Sequence, residues 1–520
     1  MSLLKRLQDL DGNSYGAYKS LKGRHFLNDD LTLHIDRVQA DPYAPPSNVR
    51  VRLDAATTGI PRKLLASVAG RDFLARRLAS SSRDGISSDR PGQQVLPATA
   101  VLLDADQLEL RLDIHLPARG RRILGHAAAR LIGDTLVDIV EEAIFDASLD
   151  DLRRAVTLYD DQQFIRSELG ARNLVAFIAD GSILPRRSGD SDLPLSDAIP
   201  FHSPSTLTTR LILPSGRTVT GMGIPAGVTV IVGGGFHGKS TLLRALQLGV
   251  YNHVAGDGRE FAIARNDAAT LRAEDGRAVT DVNISPFINN LPSGNNTRHF
   301  STSNASGSTS QAAWLIEALE AGASTLLIDE DTSATNFMIR DEKMRALVPD
   351  NREPITPLIQ RITGLTSNGE TSVVLVTGGT SAFLDVADTV ILMDAYLPHD
   401  VTEQAKKLSG DACYTSTFPT IDPRRPSIRI AGRKPPQGKD LQHIRIDRDT
   451  LDLSALSQLV HPSQTRAIAS LLPMVRDKLN DGYMLKVACE KALEHWDDSR
   501  SGRLAKPRLA ELMFAINHLR

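Results

Sequence analysis

The residues best suited to chemistry stand at Gly233-Gly234-Gly235-Phe236-His237-Gly238-Lys239-Ser240-Thr241, which satisfies G-x-x-x-x-G-K-[ST]. Glycines in such a loop let backbone N–H groups close around phosphate oxygens. The lysine reaches the β- and γ-phosphates, and the following hydroxyl ligates Mg²⁺. Here those roles fall to Lys239 and Ser240. His237, inside the loop, either touches phosphate or points to solvent. The apolar run Val228–Val232 precedes the loop as a strand, and Leu242–Leu248 follows as a helix whose N-terminus adds partial positive charge. A second apolar strand ends in acids, Ser324-Thr-Leu-Leu-Ile-Asp329-Glu330-Asp331. Asp329 is placed to hold Mg²⁺ through its water shell, and Glu330 to polarise an attacking water as general base. Together the two motifs imply a Mg-ATP site with ATP hydrolysis as its reaction.

A third motif, Asn304-Ala305-Ser306-Gly307-Ser308-Thr309-Ser310-Gln311, opens a helix with small residues that let an anion approach its N-terminus. Ser306, Gly307 and Ser308 resemble the signature turn of ABC ATPases, which leads after a fixed interval into the magnesium-binding strand. Thr332-Ser333-Ala334-Thr335-Asn336 resembles the loop that this family places at its dimer seam. The resemblance implies a homodimer with two ATP held at its interface, each capped by the partner's signature. Two departures accompany it. After the strand Ser372–Thr377 comes Gly378-Gly379-Thr380-Ser381, where transporters carry a switch histidine. Thr380, Ser381 or a backbone N–H is the expected substitute, and slow hydrolysis the expected consequence. The interval from Lys239 to Ser306 is also short, and Ile284–Asn290 is expected in place of the glutamine loop. There Asn289 either orients water or metal, or lies in a surface loop.

These residues need a parallel sheet covered by helices, the pattern of residues 191–400, where strands and helices alternate with Gly-rich turns. Residues 1–190 read as an α+β domain. Leu31–Ile35, Val49–Leu53 and Leu108–Leu112 alternate as half-buried strands, while Arg121–Ala147 and Leu149–Leu169 have helical periodicity. Residues 401–520 open with a proline-rich, basic stretch and end in helices between Ser454 and Leu519. The expected fold is α/β: a central P-loop domain, an α+β N-terminal domain and a mainly helical C-terminal domain.

The 520 residues carry a net charge of −2, so any attraction to nucleic acid must come from local patches. Two cysteines, Cys413 and Cys489, fit a reducing compartment, and His202, His237, His299 and His461 lack metal-ligand spacing. No signal peptide or membrane-length apolar run is present, and a cytoplasmic location without membrane contact is expected. Arg424, Arg425, Arg429, Arg433, Lys434, Lys439, Arg445 and Arg448 face only two acids between 424 and 448. The run reads equally as a phosphate track or a solvated surface, with Tyr414 and Phe418 as stacking candidates upstream. Arg119, Arg121 and Arg122 start a helix-prone stretch and suit either phosphate or intramolecular pairing. Arg186 and Arg187 precede the core and could reach nucleotide or a partner.

Several further stretches resemble one family, the predicted ATPases of the ABC class found in bacteria and kinetoplastid mitochondria. They are Asp36–Pro42, Leu116–Arg122, Ile183–Gly189, Gly256–Glu260, Asn304–Arg340 and Ser463–Ala469. Membership implies the three-domain homodimer and, from the kinetoplastid member associated with RNA editing, RNA binding. Three functions follow for comparison: an ATPase that clamps nucleic acid, RNA above all; an ATP-gated switch for protein assembly with little turnover; and a transporter or repair subunit. Missing membrane segments and the missing coiled-coil insertion weigh against the last. Protein partners are not indicated.

Overall fold

A computed structural model describes residues 2–349, 352–410, 417–430, 434–497 and 502–519. Cys413, Tyr414 and Arg433 therefore lie outside the described residues. Two compact units are formed, one by residues 1–159 with 496–506 and one by 160–495 with 507–520.

In the first unit, alternation of apolar and polar residues produces an antiparallel sheet. Its order is Gly23–Phe26, Thr32–Arg37, Ser47–Asp54, Gln107–Ile114 and Ile86–Ser87, with Val101–Asp104 also pairing to Gln107–Ile114. Val49, Val51 and Leu53 are buried while Asn48, Arg50 and Arg52 alternate with them on the other face. That other face is neutralised locally: Glu109 receives Arg50 Nη1 at 3.0 Å and Arg52 at 2.7 Å. Arg119 and Arg122 do not begin a helix. They pair in a small hairpin, Ala118–Arg119 with Arg122–Ile123, because Gly120 turns the chain at φ 58°. The helical stretch starts only at Gly125 and reaches Phe145 through two wide π turns.

The second unit holds a six-stranded sheet in the order Ala269–Leu271, Thr325–Asp329, Ser372–Val376, Val228–Val232, Thr389–Asp394, Leu397–Asp400. Its first five strands run parallel and the last is an antiparallel edge. The central strands Val228–Val232 and Ser372–Val376 are buried at nearly every position and mostly apolar, as expected of a parallel sheet covered on both faces. Residues 160–190, expected with the N-terminal region, belong here. Leu174–Ala179 is buried at all six positions and pairs on both sides, with Thr218–Pro225 and Ala262–Ala264. The C-terminal region supplies helices Pro462–Asn480, Leu485–Leu493 and Leu509–Asn517. It also forms a small sheet, Gln437–Gly438, His443–Ile446 and Asp449–Asp452, inside the stretch expected to be loop. Among the described residues no helix is long and apolar enough to cross a membrane.

Arg424 corrects the basic-track expectation. Its side chain is only 9% exposed and its guanidinium meets Glu320 at 2.7 Å, Thr280 O at 2.6 Å and Asn517 Oδ1 at 2.6 Å. Beside it Arg277 holds Glu317 at 2.8 Å, both side chains being 1% exposed. Two carboxylates on one helix face, Glu317 and Glu320, are thus buried only because two arginines reach them. Burial still lifts Glu320 above the ordinary carboxylate range, against the pull of Arg424. Arg424→Met strands a buried acid, and removing one partner of such a pair costs about 3 kcal/mol or more. A lower urea midpoint for this variant, with unchanged nucleic-acid affinity, is the expected result.

Candidate functional site

The strands Val228–Val232, Thr325–Asp329 and Ser372–Val376 are neighbours in parallel register, so the loops leaving their C-terminal ends converge. The first loop is Gly233–Gly238, followed by the helix Lys239–Leu248. Gly233 and Gly238 take φ values of 142° and 95°, and a β-carbon on Gly233 would stand 2.4 Å from Met393 O. Lys239 Nζ arches back over the loop and donates to Gly233 O at 2.7 Å and Gly234 O at 2.8 Å. Ser240 is exposed at the first turn of the helix, with Thr241 beside it.

His237, for which the sequence left phosphate contact and solvent as alternatives, is half-buried in the loop. Its Nδ1 lies 2.9 Å from Ala395 N and 3.0 Å from Asp394 Oδ1, accepting from the former when neutral and donating to the latter when protonated. The ring therefore braces the loop against the turn after Thr389–Asp394. Phe236 is 99% exposed with φ 65°, a conformation costing an aromatic residue on the order of 1–3 kcal/mol.

Asp329 ends its strand and Glu330 starts the next turn. Glu330 Oε2 accepts three hydrogen bonds: Thr377 Oγ1 at 2.6 Å, Gly378 N at 2.9 Å and Gly379 N at 3.0 Å. Burial acts to raise the Glu330 carboxyl. The Thr377, Gly379 and Gly378 donors and the Lys239 charge outweigh it and hold the group below the usual range. Asp329 moves the opposite way: burial, with the Asp331 and Glu330 charges, raises it against the Asp331 N–H and the Lys239 ammonium. The donor set suits a hard cation, since an exposed hydroxyl and a carboxylate disfavoured by neighbouring acids both gain from added positive charge.

Thr377 escaped the sequence reading. Thr380, expected in place of the switch histidine, accepts from Ala382 N through its hydroxyl at 3.1 Å within its own turn. The available signal was a threonine ending an apolar strand immediately before two glycines. Gly379 sits close to the acid, where a β-carbon would lie 3.2 Å from Glu330 Oε1, while one on Gly378 would make ordinary contact 3.5 Å from Lys239 Nζ. Asn289 turns its amide onto Ser285 O and its backbone N–H onto Pro354 O at 2.8 Å, closing a turn over buried Phe287. Phe287 in turn packs 5.1 Å from Phe337, in the short helix after the acids.

The Ser306 turn is built separately. Ser306 caps the helix Gly307–Ala321 without a side-chain bond to its backbone; its hydroxyl meets Thr309 Oγ1 at 3.1 Å. A β-carbon on Gly307 would stand 3.2 Å from Asp275 Oδ1 and 3.6 Å from Ala334 Cβ, so the turn packs closely on both. Gln311, buried, donates to Ser333 Oγ at 2.8 Å and accepts from Ala334 N at 2.8 Å, tying this helix to the loop after Asp329. Ser308 lies half-buried in the first turn.

Of the basic residues, Arg186 is spent on buried Asp257, at 2.8 Å and 2.9 Å, within a knot that includes His253 at 2.7 Å. Arg119, Arg121, Arg122, Arg187, Arg425, Lys434 and Lys439 are exposed.

Comparison with known families places this geometry. The model described as ABC_ATPase, P-loop domain, matches residues 148–421. That for the N-terminal part of the ATPase of the ABC class matches 1–147, and the MRB1590 C-terminal domain matches 436–520. The uncharacterized protein MJ1628 of Methanocaldococcus jannaschii is 28% identical over 251 residues, 46% of this chain and 54% of its own length. The aligned part of this chain thus spans about half the length of that relative.

The three donors on Glu330 generate a pH prediction. Thr377→Val removes one donor and leaves burial in place, so Glu330 protonates at higher pH than in the unmodified protein. The acid limb of the rate profile for nucleotide hydrolysis should move up, with little change on the alkaline side. An unmoved limb would mean that Thr377 does not set the ionisation of the group controlling the rate.

Proposed function

The chain belongs to the P-loop ATPases of the ABC class, matched over more than half its length, and from that membership we propose that it binds Mg-ATP between two copies of itself. The observation that carries the reading is the approach of Lys239 and Glu330 from two strands that flank Ser372–Val376, with Glu330 kept ionised by Thr377, Gly378 and Gly379. Residues 233–241 cradle the phosphates, and Lys239 swings from its own loop carbonyls onto the β- and γ-oxygens. Ser240 and Asp329 hold Mg²⁺, which neutralises phosphate charge when bound. Glu330 then takes the proton of the attacking water through a carboxylate already oriented by fixed donors. Those donors lower its basicity, which supports slow turnover.

Two observations support a second copy. The Ser306 and Thr309 hydroxyls and the first-turn N–H groups of a 15-residue helix form an anion-accepting end. Gly307 in that turn lies beside Ala273, Asp275 and Ala334, and Ser310 Oγ accepts from Glu274 N. Phe236 presents a strained, uncovered ring at the crest of that loop, a surface another protomer would bury. RNA is the proposed ligand, from the resemblance to the kinetoplastid member associated with RNA editing and the exposed Arg119, Arg121, Arg122, Arg425, Lys434 and Lys439. An assembly switch without nucleic acid is the competing reading.

Glu330→Gln should slow hydrolysis about a hundredfold or more and trap a Mg-ATP-dependent dimer in sedimentation; a monomer at saturating nucleotide would sink the sandwich. Filter binding of single-stranded RNA should weaken steeply with salt. Lys434→Ala and Lys439→Ala would each reduce the log–log slope by about 0.7. Salt-independent or absent binding favours the switch.

A further inference from the structure

The hairpin from Thr389–Asp394 to Leu397–Asp400 turns on two residues alone, Ala395 and Tyr396. Both have positive φ, 43° and 71°. Two-residue turns of this kind ordinarily take Asn-Gly or Gly-Gly, because a β-carbon resists the conformation. An aromatic residue there is an outlier, and such outliers gather where a ligand is held.

The turn is fastened to the phosphate loop. Ala395 N lies 2.9 Å from His237 Nδ1, and a β-carbon on Gly238 would stand 3.3 Å from Tyr396 Cδ1 and 3.6 Å from Met393 Cε. Tyr396 nevertheless remains 54% exposed. One edge of its ring is therefore set by the residue immediately before Lys239, while much of the ring stays open.

We propose that Tyr396 is the platform on which the base of the bound nucleotide stacks. The inference rests on the phosphate-loop reading above and adds the part that reading lacks. A nucleotide gripped at residues 233–241 presents a flat apolar base that backbone N–H groups cannot serve. The ring beside Gly238 is an aromatic surface at the edge of that loop, and His237 holds its turn to the loop itself. Stacking uses the face of the ring and is tolerant of base identity. The phenolic hydroxyl is not required, and purine triphosphates should bind alike.

The test compares ATP, GTP and inorganic tripolyphosphate by calorimetry on the full chain. Tyr396→Gly removes the ring and is at ease at φ 71°, so the fold is not put at risk. It should weaken ATP and GTP by about ten- to a hundredfold and leave tripolyphosphate unchanged; Tyr396→Phe should bind all three as the unmodified protein does. Unchanged ATP affinity in Tyr396→Gly overturns the proposal. So does a base-dependent loss in Phe236→Gly with none in Tyr396→Gly, which would move the base to the other exposed ring. Failure of the unmodified chain to bind tripolyphosphate would instead strike the phosphate-loop premise, and the platform with it.

Discussion

Three parallel strands in fixed register carry the chemistry. Ile231 pairs with Val376, and Val376 with Asp329, so the first residues beyond each strand emerge side by side. A one-residue slip would carry the residues beyond one strand out of line with those beyond its neighbours and exchange the side chains packed on the two faces. From the three ends come the Lys239 loop, the Asp329–Glu330 pair and the Thr377–Gly379 turn. Gly233 is a local condition for that convergence, since a β-carbon there would stand 2.4 Å from Met393 O, and β-carbons on Gly238 and Gly379 would press at 3.3 Å on the Tyr396 ring and at 3.2 Å on Glu330 Oε1.

The two acids at the end of one strand show how neighbours divide chemical labour. Both are partly buried, yet Glu330 is drawn down by three donors from the next strand end, while Asp329 is pushed up by desolvation and adjacent negative charge. One is thereby kept as a carboxylate oriented through Oε2. The other is a site where an added cation relieves repulsion.

The C-terminal region is built onto the helix that Ser306 opens. Arg424 grips Glu320, Trp314 packs 5.5 Å from Phe514 and 5.6 Å from His518, and His518 meets Glu274 at 2.7 Å. Glu274 N also donates to Ser310 Oγ at 2.9 Å, in the first turn of that helix. Movement of the Ser306 turn would therefore be felt directly by residues 509–519. Gln311 links the same helix to the loop after Asp329, so the anion-accepting end and the acidic strand end are mechanically joined within one chain.

The sequence alone determined the phosphate loop, the acidic strand, the Ser306 helix, the α/β class and the family, because each rests on spacing within a single element or on short flanking runs. Period-2 alternation placed the strands of the first unit for the same reason. What it could not determine was which side chains meet across elements. That Thr377 reaches Glu330, that Arg424 is buried against Glu320, and that His237 leans on the Ala395 turn are facts of long-range packing. A basic run looks the same in sequence whether its arginine faces solvent or a buried acid 104 residues away. Only the folded chain supplies the partner, since burial and pairing are set by neighbours that local periodicity does not encode.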